Sequence, residues 1–264
     1  MPILTEPAPL SETLAAIESH AAPVQCKATD YPAGFQVLAH SHGRHQLIHA
    51  VQGVMSVRAD AGHWVVPPSR GLWMPAGMRH AIRCMGEVHM RSLFIRHDAA
   101  PRLPADCRAV GISPLLRELI RSAVDVQQPY AANSRDGRLM RFLLDELQAL
   151  PMLPLHLPMP TDARVLHICQ RLQGRPDDTS TLADWARQLG VDVKTVQRLF
   201  AAQTGMTFGR WRQQARLLRA LELLASGEKV IDIALALGYD SPSAFATMFR
   251  KQLGQTPSQF FEAA

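Results

Sequence analysis

The chain has 264 residues, of which 47% are hydrophobic and 19% are charged, proportions typical of a globular protein large enough for two domains. Its formal net charge of +5 is nearly even along the chain, because residues 1–160 carry 15 basic and 13 acidic residues and residues 161–264 carry 13 and 10. The charge total therefore neither indicates nor excludes a nucleic-acid partner, which must be argued from the placement of the cations.

The sequence shows no signal for export or membrane insertion. No basic stretch followed by an apolar core is present near its start, and no run reaches the ~18 apolar residues that a membrane span needs. Four cysteines without paired spacing favour reduced thiols: Cys26, Cys84, Cys107 and Cys169. We expect a cytoplasmic protein with no membrane partner.

A short helix is predicted near residues 11–20, and β-type runs separated by turns follow from about residue 34 to residue 95. These predicted strands are 35–38, 46–49, 54–57, 64–66, 72–74 and 90–95. Many short strands at close spacing favour an all-β sandwich or barrel.

Two histidine-containing phrases lie in this β region, one from His40 to Gln46 and one from Gly71 to His80. Residues two apart on a strand share a face, so His40 and His42 are predicted to point the same way. A Pro-Ala-Gly turn then returns His80 to the same region. Three neutral imidazoles suit iron, zinc, nickel or copper, but they can equally line a pocket for an organic ligand.

Residues 112–150 predict two amphipathic helices, joined near residues 128–136. Each apolar stripe needs a partner, either the β domain of the same subunit or a second subunit. Residues 151–160 then contain four prolines, which disfavour helix and predict an extended interdomain linker.

The last third of the chain repeats one pattern. Asp184, Ala186, Leu189, Gly190 and Asp192 recur at an offset of 48, and after one inserted residue the match resumes at 49. The later matches pair 196 and 200 with 245 and 249, and 205–207 with 254–256. A repeat of this length predicts one supersecondary unit used twice.

Each copy has the pattern of a helix-turn-helix. Thr181 and Asp184 predict a capping box, and Gly190 suits a left-handed residue after a helix end. In the second copy Ser241 is a predicted cap and Pro242 takes the first helical position. A helix over residues 207–226, ended by a glycine, joins the two copies.

The second helix of each copy is predicted to bury an apolar stripe and to leave a polar face outside. In the first copy this face carries Lys194, Thr195, Gln197 and Arg198. In the second it carries Ser243, Ala246, Thr247, Arg250 and Lys251. Arginine can bind guanine and glutamine adenine in a major groove, so the tandem pattern favours DNA over the alternative, a plain helical bundle.

This segment, about a third of the chain, resembles the DNA-binding domain of the AraC/XylS family of bacterial transcription regulators. The family signature appears as Ile233-Ala234, Gly238-Tyr239, Ser243-Ala-Phe245, Phe249-Arg250-Lys251 and Gly254-Gln-Thr256-Pro257. The resemblance implies that both second helices enter successive major-groove faces of double-stranded DNA. Base contacts then fall on Lys194, Gln197 and Arg198 and on Ser243, Ala246 and Thr247. Family members often carry arginine where Thr247 stands, so the second copy is expected mainly to hold the DNA backbone.

The two histidine phrases resemble the cupin pattern. Many cupins bind a divalent metal through two histidines and a glutamate of the first phrase and the histidine of the second. By position these are His40, His42, Gln46 and His80. Because an amide replaces the carboxylate at Gln46, the set is predicted to bind either a small-molecule effector or a divalent metal, with no cofactor certain.

The resemblances together imply a two-domain protein: an N-terminal all-β cupin-like barrel with a helical hairpin, and a C-terminal all-α tandem helix-turn-helix domain. The expected boundaries are 1–110 for the effector-sensing domain, 111–150 for the hairpin, 151–160 for the linker and 161–264 for the DNA-binding domain. The hairpin would be a dimer contact in such a family, or would pack on its own barrel.

The expected function is sequence-specific transcription regulation by a homodimer that a small-molecule effector controls, with an efflux or detoxification gene as target. No nucleophile with a partner base appears in the sequence, so no enzymatic activity is expected. The alternative is a metal-dependent cupin enzyme with an attached DNA-binding domain, against which the amide at Gln46 argues.

Overall fold

A computed structural model of the chain describes residues 10–60, 62–68, 70–99, 101–148, 152–153 and 156–262. The described residues of Met1–Asp60 and Trp64–Pro154 form one compact unit, and those of Ala61–His63 and Leu155–Ala264 form a second. The first is rich in β-strands and the second is helical, as predicted. Among the described residues, every helix is too short or too polar to cross a membrane.

The described residues of the first unit form an antiparallel sheet with three α-helices. Its strands are β1 (Val24–Tyr31), β2 (Gln36–His40), β3 (His45–Ala59), β4 (Gly62–Val66), β5 (Arg70–Met74), β6 (His80–Ile95), β7 (Arg108–Gly111) and β8 (Met152–Leu153). They pair in the order β1-β6-β3-β5-β7-β8, with β2 beside β6 and β4 beside β3. The predicted helix near the N-terminus is α1 (Leu10–Ser19).

The sheet differs from its prediction in two ways. The strands β1 and β7 were not predicted, and β3 and β6 are longer than predicted, since β6 begins at His80 and not near residue 90. The predicted runs 46–49 and 54–57 join into β3 through an irregularity in its pairing with β6 near residues 50–54. Gly53 allows it, since its φ is +80° and a Cβ there would lie 2.1 Å from the Glu87 carbonyl oxygen.

One face of the sheet packs against the helical hairpin, α2 (Pro114–Val124) and α3 (Arg135–Gln148). Leu116 and Leu143 from the helices and Leu47 and Leu93 from the sheet are all 0% exposed. The inner faces of the hairpin are therefore buried within the subunit. The extended segment predicted at 151–160 contributes β8, which pairs with β7, and the short strand β9 (His156–Pro158); Pro151, Pro154 and Leu155 lie outside the described residues.

The second unit contains seven helices among its described residues. They are α4 (Ala163–Gly174), α5 (Leu182–Leu189), α6 (Val193–Thr204), α7 (Phe208–Ala225), α8 (Val230–Ala236), α9 (Pro242–Leu253) and α10 (Pro257–Glu262). The pairs α5–α6 and α8–α9 are the two copies, and α7 packs against α4, α6, α8 and α10. One central helix thus holds both copies, about 27 Å long at 1.5 Å per residue.

The local signals of the repeat are confirmed. Thr181 and Asp184 form the capping box of α5, and Gly190 follows it in the left-handed conformation with φ +65°. The Ser241 hydroxyl accepts the Ala244 N–H at the start of α9, and Pro242 occupies its first turn. Each boundary therefore follows from a residue whose chemistry suits it.

Candidate functional site

The helix α6 presents a polar face that an apolar stripe fixes in place. Val196 and Phe200 are 1% and 0% exposed, which leaves Lys194, Gln197 and Arg198 in solvent. Thr195 is half-buried instead, because its backbone N–H and its hydroxyl both bind the Asp192 carboxylate, at 2.8 and 2.6 Å. Three of the four predicted side chains are therefore available to a ligand, and the hydroxyl of the fourth is occupied as part of the helix cap.

The helix α9 has the same buried stripe and a different outer face. Phe245 and Phe249 are both 0% exposed. Ser243, Thr247, Arg250 and Lys251 are exposed, and Ala246 is half-buried. The side chains in the first turns are short, and the two cations lie in the last turn.

The cations of these outer faces lack acidic partners, unlike several other cations of the second unit. Arg164, Arg187 and Arg219 each lie within 3.2 Å of a carboxylate oxygen. Within the described part of the chain, no carboxylate lies within 4.0 Å of the charged nitrogens of four exposed side chains: Lys194, Arg198, Arg250 and Lys251. Unneutralised cations on two helices of one compact unit suit a polyanion.

The arginines of α7 divide into structural and available ones. Arg212 donates to the Ser180 carbonyl at 3.1 Å, and Arg216 donates to the Pro176 carbonyl at 2.7 Å and lies over the Tyr239 ring. Arg210 is exposed, and no described residue accepts a hydrogen bond from its guanidinium. Arg210 is therefore a further candidate phosphate contact. The helical periodicity of the sequence of α7 does not distinguish it from the neighbouring arginines.

The second candidate site is a cavity of about 40 Å³ on the sheet face opposite the hairpin. It is lined by α1, by alternate residues of β1 and β6, and by residues of β2, of β3 and of the loop between them. These include Thr13, Lys27, Tyr31, His40, His42 and Gln46. The cavity thus contains three of the four residues predicted from the cupin phrases. The fourth, His80, contacts the ring of His40 across the β2–β6 pair, where the two are direct partners.

The three histidines form a compact cluster. The ring centroids of His40 and His80 are 4.3 Å apart and those of His42 and His80 are 5.4 Å apart. One nitrogen from each ring lies within 4.8 Å of the other two. The prediction that these side chains converge is therefore matched by the geometry of the described residues.

Hydrogen bonds orient all three rings in the same way. Nδ1 of His40, His42 and His80 lies 2.8, 2.8 and 2.9 Å from the carbonyl oxygens of residues 38, 44 and 78. A carbonyl can only accept, so each Nδ1 carries the proton and each neutral ring keeps its lone pair on Nε2. Metal-binding histidines are oriented by this kind of contact.

Burial keeps two of the rings neutral. Desolvation, together with the two neighbouring imidazoles, lowers the pKa of His80 to about 4, although its bond to the Met78 carbonyl acts in the opposite direction. Desolvation also lowers the pKa of His40. His80 is 1% exposed and its Nε2 has no hydrogen-bond partner among the described residues. The Nε2 atom of His80 is therefore an unprotonated nitrogen that faces the cluster and could serve as a metal ligand.

Gln46 caps this cluster. Its side-chain amide lies 3.0 Å from His42 Nε2 on one side and 3.0 Å from the Ser92 hydroxyl on the other. The amide oxygen faces His42 Nε2 and the amide nitrogen donates to the Ser92 hydroxyl. With the His42 proton on Nδ1, exchanging the oxygen and nitrogen of this amide lets its N–H donate to Nε2 and its oxygen accept from Ser92. Gln46 therefore hydrogen-bonds a histidine of the cluster, whereas the glutamate of the cupin pattern is itself a ligand.

Other side chains that the phrases suggested lie elsewhere. His49 is 0% exposed and binds the Arg70 carbonyl, while His45 accepts from the Ala76 N–H and contacts His97. Trp73 packs on the opposite face of the sheet. The residues that sequence reasoning missed are Thr13, Lys27 and Tyr31; the alternation of Lys27, Thr29 and Tyr31 along β1 was the available signal.

Both parts of the chain match known families. Residues 23–147 match the AraC-like ligand binding domain, and residues 185–263 match a helix-turn-helix domain. The HTH-type transcriptional regulator NimR of Escherichia coli (strain K12) is 35% identical over 221 residues, 84% of this chain and 81% of that protein. The regulatory protein SoxS of the same organism is 38% identical over 76 residues, 28% of this chain and 71% of that protein.

Among solved structures, ToxT from Vibrio cholerae matches 91% of this chain and 98% of its own at 12% identity, with a TM-score of 0.37. A ligand-binding β domain joined to a duplicated helix-turn-helix unit defines a DNA-binding transcription regulator. The chain belongs to the AraC family of such regulators.

Proposed function

We propose that this regulator recognises a specific duplex site through Lys194, Gln197 and Arg198 of α6, and holds the adjoining backbone mainly through α9. The observation that carries the proposal is the set of exposed cations without acidic partners on the outer faces of α6 and α9. Lysine and arginine so placed can replace the counterions of phosphates, and Gln197 and Arg198 can pair with base edges.

We further propose that a small anionic molecule occupies the histidine-lined cavity and controls DNA affinity. Lys27 Nζ is half-buried in the cavity wall and donates to the Thr13 hydroxyl at 3.0 Å. Burial lowers the pKa of Lys27, and no carboxylate pairs with it among the described residues. An acidic ligand would supply the missing counter-charge and would contact α1, so that it favours one arrangement of the protein over another.

The histidine cluster also fits a divalent first-row metal. His40, His42 and His80 would hold it through Nε2, since each Nδ1 is already bound to a carbonyl. Bound there, the ion would supply a positive charge that three neutral ligands leave uncompensated. The Arg44 carbonyl would orient His42, Gln46 would release Nε2 to the ion, and Lys27 would bind the acidic group of the effector.

DNA binding is tested by selecting duplexes from a random library with the full-length protein and footprinting the selected site. We expect a protected site that Arg198→Ala weakens, while Arg187→Ala, whose arginine pairs with Asp184, serves as the exposed control. Equal affinity of the protein for selected and scrambled duplexes would contradict the proposal. Genomic footprinting then tests whether efflux or detoxification genes lie beside the bound sites.

The metal proposal is tested by titrating metal-free protein with Zn²⁺ in a calorimeter. We expect one equivalent to bind to the wild-type protein and to a His167→Ala control, whose histidine is exposed in the second unit, and none to His80→Ala. Unchanged Zn²⁺ binding by His80→Ala would contradict the metal proposal. Turnover of a small substrate by the metal-loaded protein would instead favour the second candidate, a metal-dependent enzyme with a DNA-binding domain, which the histidine geometry makes chemically reasonable.

A homodimer is part of the proposal. The helices α2 and α3 bury their inner faces in the first unit, yet Leu115 and Phe142 remain 46% and 45% exposed. Analytical ultracentrifugation should show a dimer that Leu115→Ser with Phe142→Ser weakens. Leu38→Ser is the matched control, because Leu38 is 70% exposed on β2, away from the hairpin. A monomeric wild-type protein would contradict this part.

A further inference from the structure

Three sulfur atoms converge at the edge of the sheet, outside the histidine cluster. The Cys107 Sγ atom lies 3.2 Å from Met74 Sδ and 2.8 Å from Met78 Sδ. We propose that Cys107, Met74 and Met78 form a binding site for monovalent copper, Cu(I). The proposal depends on these three side chains alone and is independent of the function proposed for the histidine cavity.

The donor set selects the metal. A thiolate and two thioethers are soft ligands, which suit Cu(I), whereas Mg²⁺, Ca²⁺ and Mn²⁺ prefer oxygen. Structural zinc sites use four cysteine, histidine or carboxylate ligands, and methionine is not among them. Within the described residues, Cys107 belongs to no group of three histidine, cysteine or acidic side chains close enough to share an ion. A soft monovalent ion is therefore the occupant that this cluster fits.

The backbone places two of the three sulfurs together. The strands β5 and β7 are antiparallel neighbours in which Trp73 pairs with Arg108, so Met74 and Cys107 are the next opposed positions. Met78 approaches from the turn after β5, where its N–H donates to the Pro75 carbonyl at 3.4 Å. The convergence therefore follows from strand register and one short turn.

Access differs among the three side chains in a way that suits a metal site. Met74 is 0% exposed and forms the floor, whereas Met78 and Cys107 are half-buried. An ion can therefore reach the cluster from solvent on the side of Met78 and Cys107. Met74 completes the coordination from inside the sheet.

Binding would exchange a proton for the ion. Burial, with a smaller contribution from the Asp106 carboxylate, raises the pKa of Cys107 to about 12, so the free site holds a neutral thiol. On binding, the S–H bond breaks, the proton passes to water, and a bond from sulfur to copper forms; the copper stays monovalent and nothing is oxidised. Affinity for Cu(I) should therefore rise with pH.

The site also contacts the histidine cluster through the backbone. The Met78 carbonyl accepts the hydrogen bond from His80 Nδ1 at 2.9 Å. An ion that fixes Met78 would therefore fix the group that orients His80. This consequence, unlike the site itself, rests on the function proposed for the cavity.

The test is an anaerobic titration of the full-length protein with Cu(I) in competition with a chromophoric Cu(I) chelator. We expect Cys107→Ser to lose one equivalent of bound copper. Met78→Leu, which keeps the volume of the side chain, should weaken binding by at least the ~10–100-fold that loss of an outer-shell partner brings to metal sites. Cys26→Ser, which removes another half-buried thiol, should bind as the wild type does.

Copper K-edge absorption spectra of the loaded protein separate this site from the histidine cluster. We expect a shell of sulfur alone in the wild-type protein and in His40→Ala. Nitrogen ligands in the wild-type spectrum, or equal affinities of the wild-type, Cys107→Ser and Met78→Leu proteins, would overturn the proposal. Failure of the Zn²⁺ titration at the histidines would leave it standing, so the two failures are distinguishable.

Discussion

The two helix-turn-helix copies share a core and differ on the surface. Phe200 and Phe249 occupy equivalent positions and are both 0% exposed, and Gly205 and Gly254 end the second helices with φ of +67° and +80°. These residues fix how each second helix crosses its first. The repeated part of the sequence is therefore the part that sets the geometry.

The outer surfaces have diverged. Near its N-terminal end α6 exposes Lys194, Gln197 and Arg198, whereas α9 exposes Ser243 and Thr247 there. The first helices differ as well, because α5 begins with a capping box and α8 begins at Lys229 without a side-chain cap bond. Long polar side chains reach further into a major groove than short ones, which is why we propose that the first copy reads bases and the second mainly holds the backbone.

The role of the shared core is tested by a matched pair of substitutions, Phe200→Ala and Phe249→Ala. Each removes a fully buried ring, and we expect each to lower the free energy of unfolding of the second unit by about 3–5 kcal/mol. Hydrogen–deuterium exchange followed by mass spectrometry across a urea series measures both on peptides of α6 and α9.

Because α7 packs against α6 and α8, we expect each substitution to raise exchange in both copies. The exposed control Gln188→Ala should leave exchange in α9 unchanged. Loss of protection confined to the mutated copy would show that the copies unfold independently.

The surface difference is sharpened by Arg198→Ala and Thr247→Ala, which truncate side chains on the outer faces of α6 and α9. If Arg198 pairs with a guanine, its loss should weaken specific binding by about 1–3 kcal/mol and relax the base preference at one position. Thr247→Ala should change affinity by less than about 0.5 kcal/mol. Competition binding with single-base variants of the selected site measures both, and a larger effect of Thr247 would reverse the assigned roles.

The repeat and its boundaries were predictable because their signals are local. A capping box, a left-handed glycine and a proline in the first turn each act within a few residues, so Thr181, Gly190 and Pro242 indicate the ends of helices directly. The convergence of His40, His42 and His80 was also predicted, but for a reason that is only partly right. β2 ends at His40, His42 lies in the loop that follows, and His40 meets His80 because the two are paired across β2 and β6.

The features that sequence reasoning missed depend on contacts between distant segments. Lys27 belongs to the cavity because β1 pairs along β6, with residues 24–31 opposite residues 88–95. Cys107 meets Met74 because β7 pairs with β5. Neither β1 nor β7 was predicted, and a one-residue change in register would turn these side chains to the opposite face.

A smaller effect is expected at the C-terminal end of α9. Lys251 is exposed, and no described carboxylate pairs with it, so Lys251→Ala should weaken all duplexes alike if it contacts phosphate. We expect the slope of log K against log salt to fall in magnitude by about 0.9, with the base preference unchanged. Binding measured at four or more salt concentrations tests this; an altered base preference would assign Lys251 to base recognition instead.

The smallest effects lie at the starts of α5 and α8, where Thr181 and Lys229 are equivalent positions of the repeat. Thr181→Ala removes the capping box and should destabilise the second unit by about 1 kcal/mol, whereas Lys229→Ala should change almost nothing.

The backbone of Lys229 is already extended, with φ −72° and ψ 141°, and Asp232 stands where Asp184 completes the first box. Lys229→Thr should therefore build the missing capping box and stabilise the unit by about 0.5–1 kcal/mol. Urea unfolding followed by exchange on α8 peptides measures all three variants. A Lys229→Thr protein that is no more stable than Lys229→Ala would show that the second copy lacks the capping-box geometry of the first.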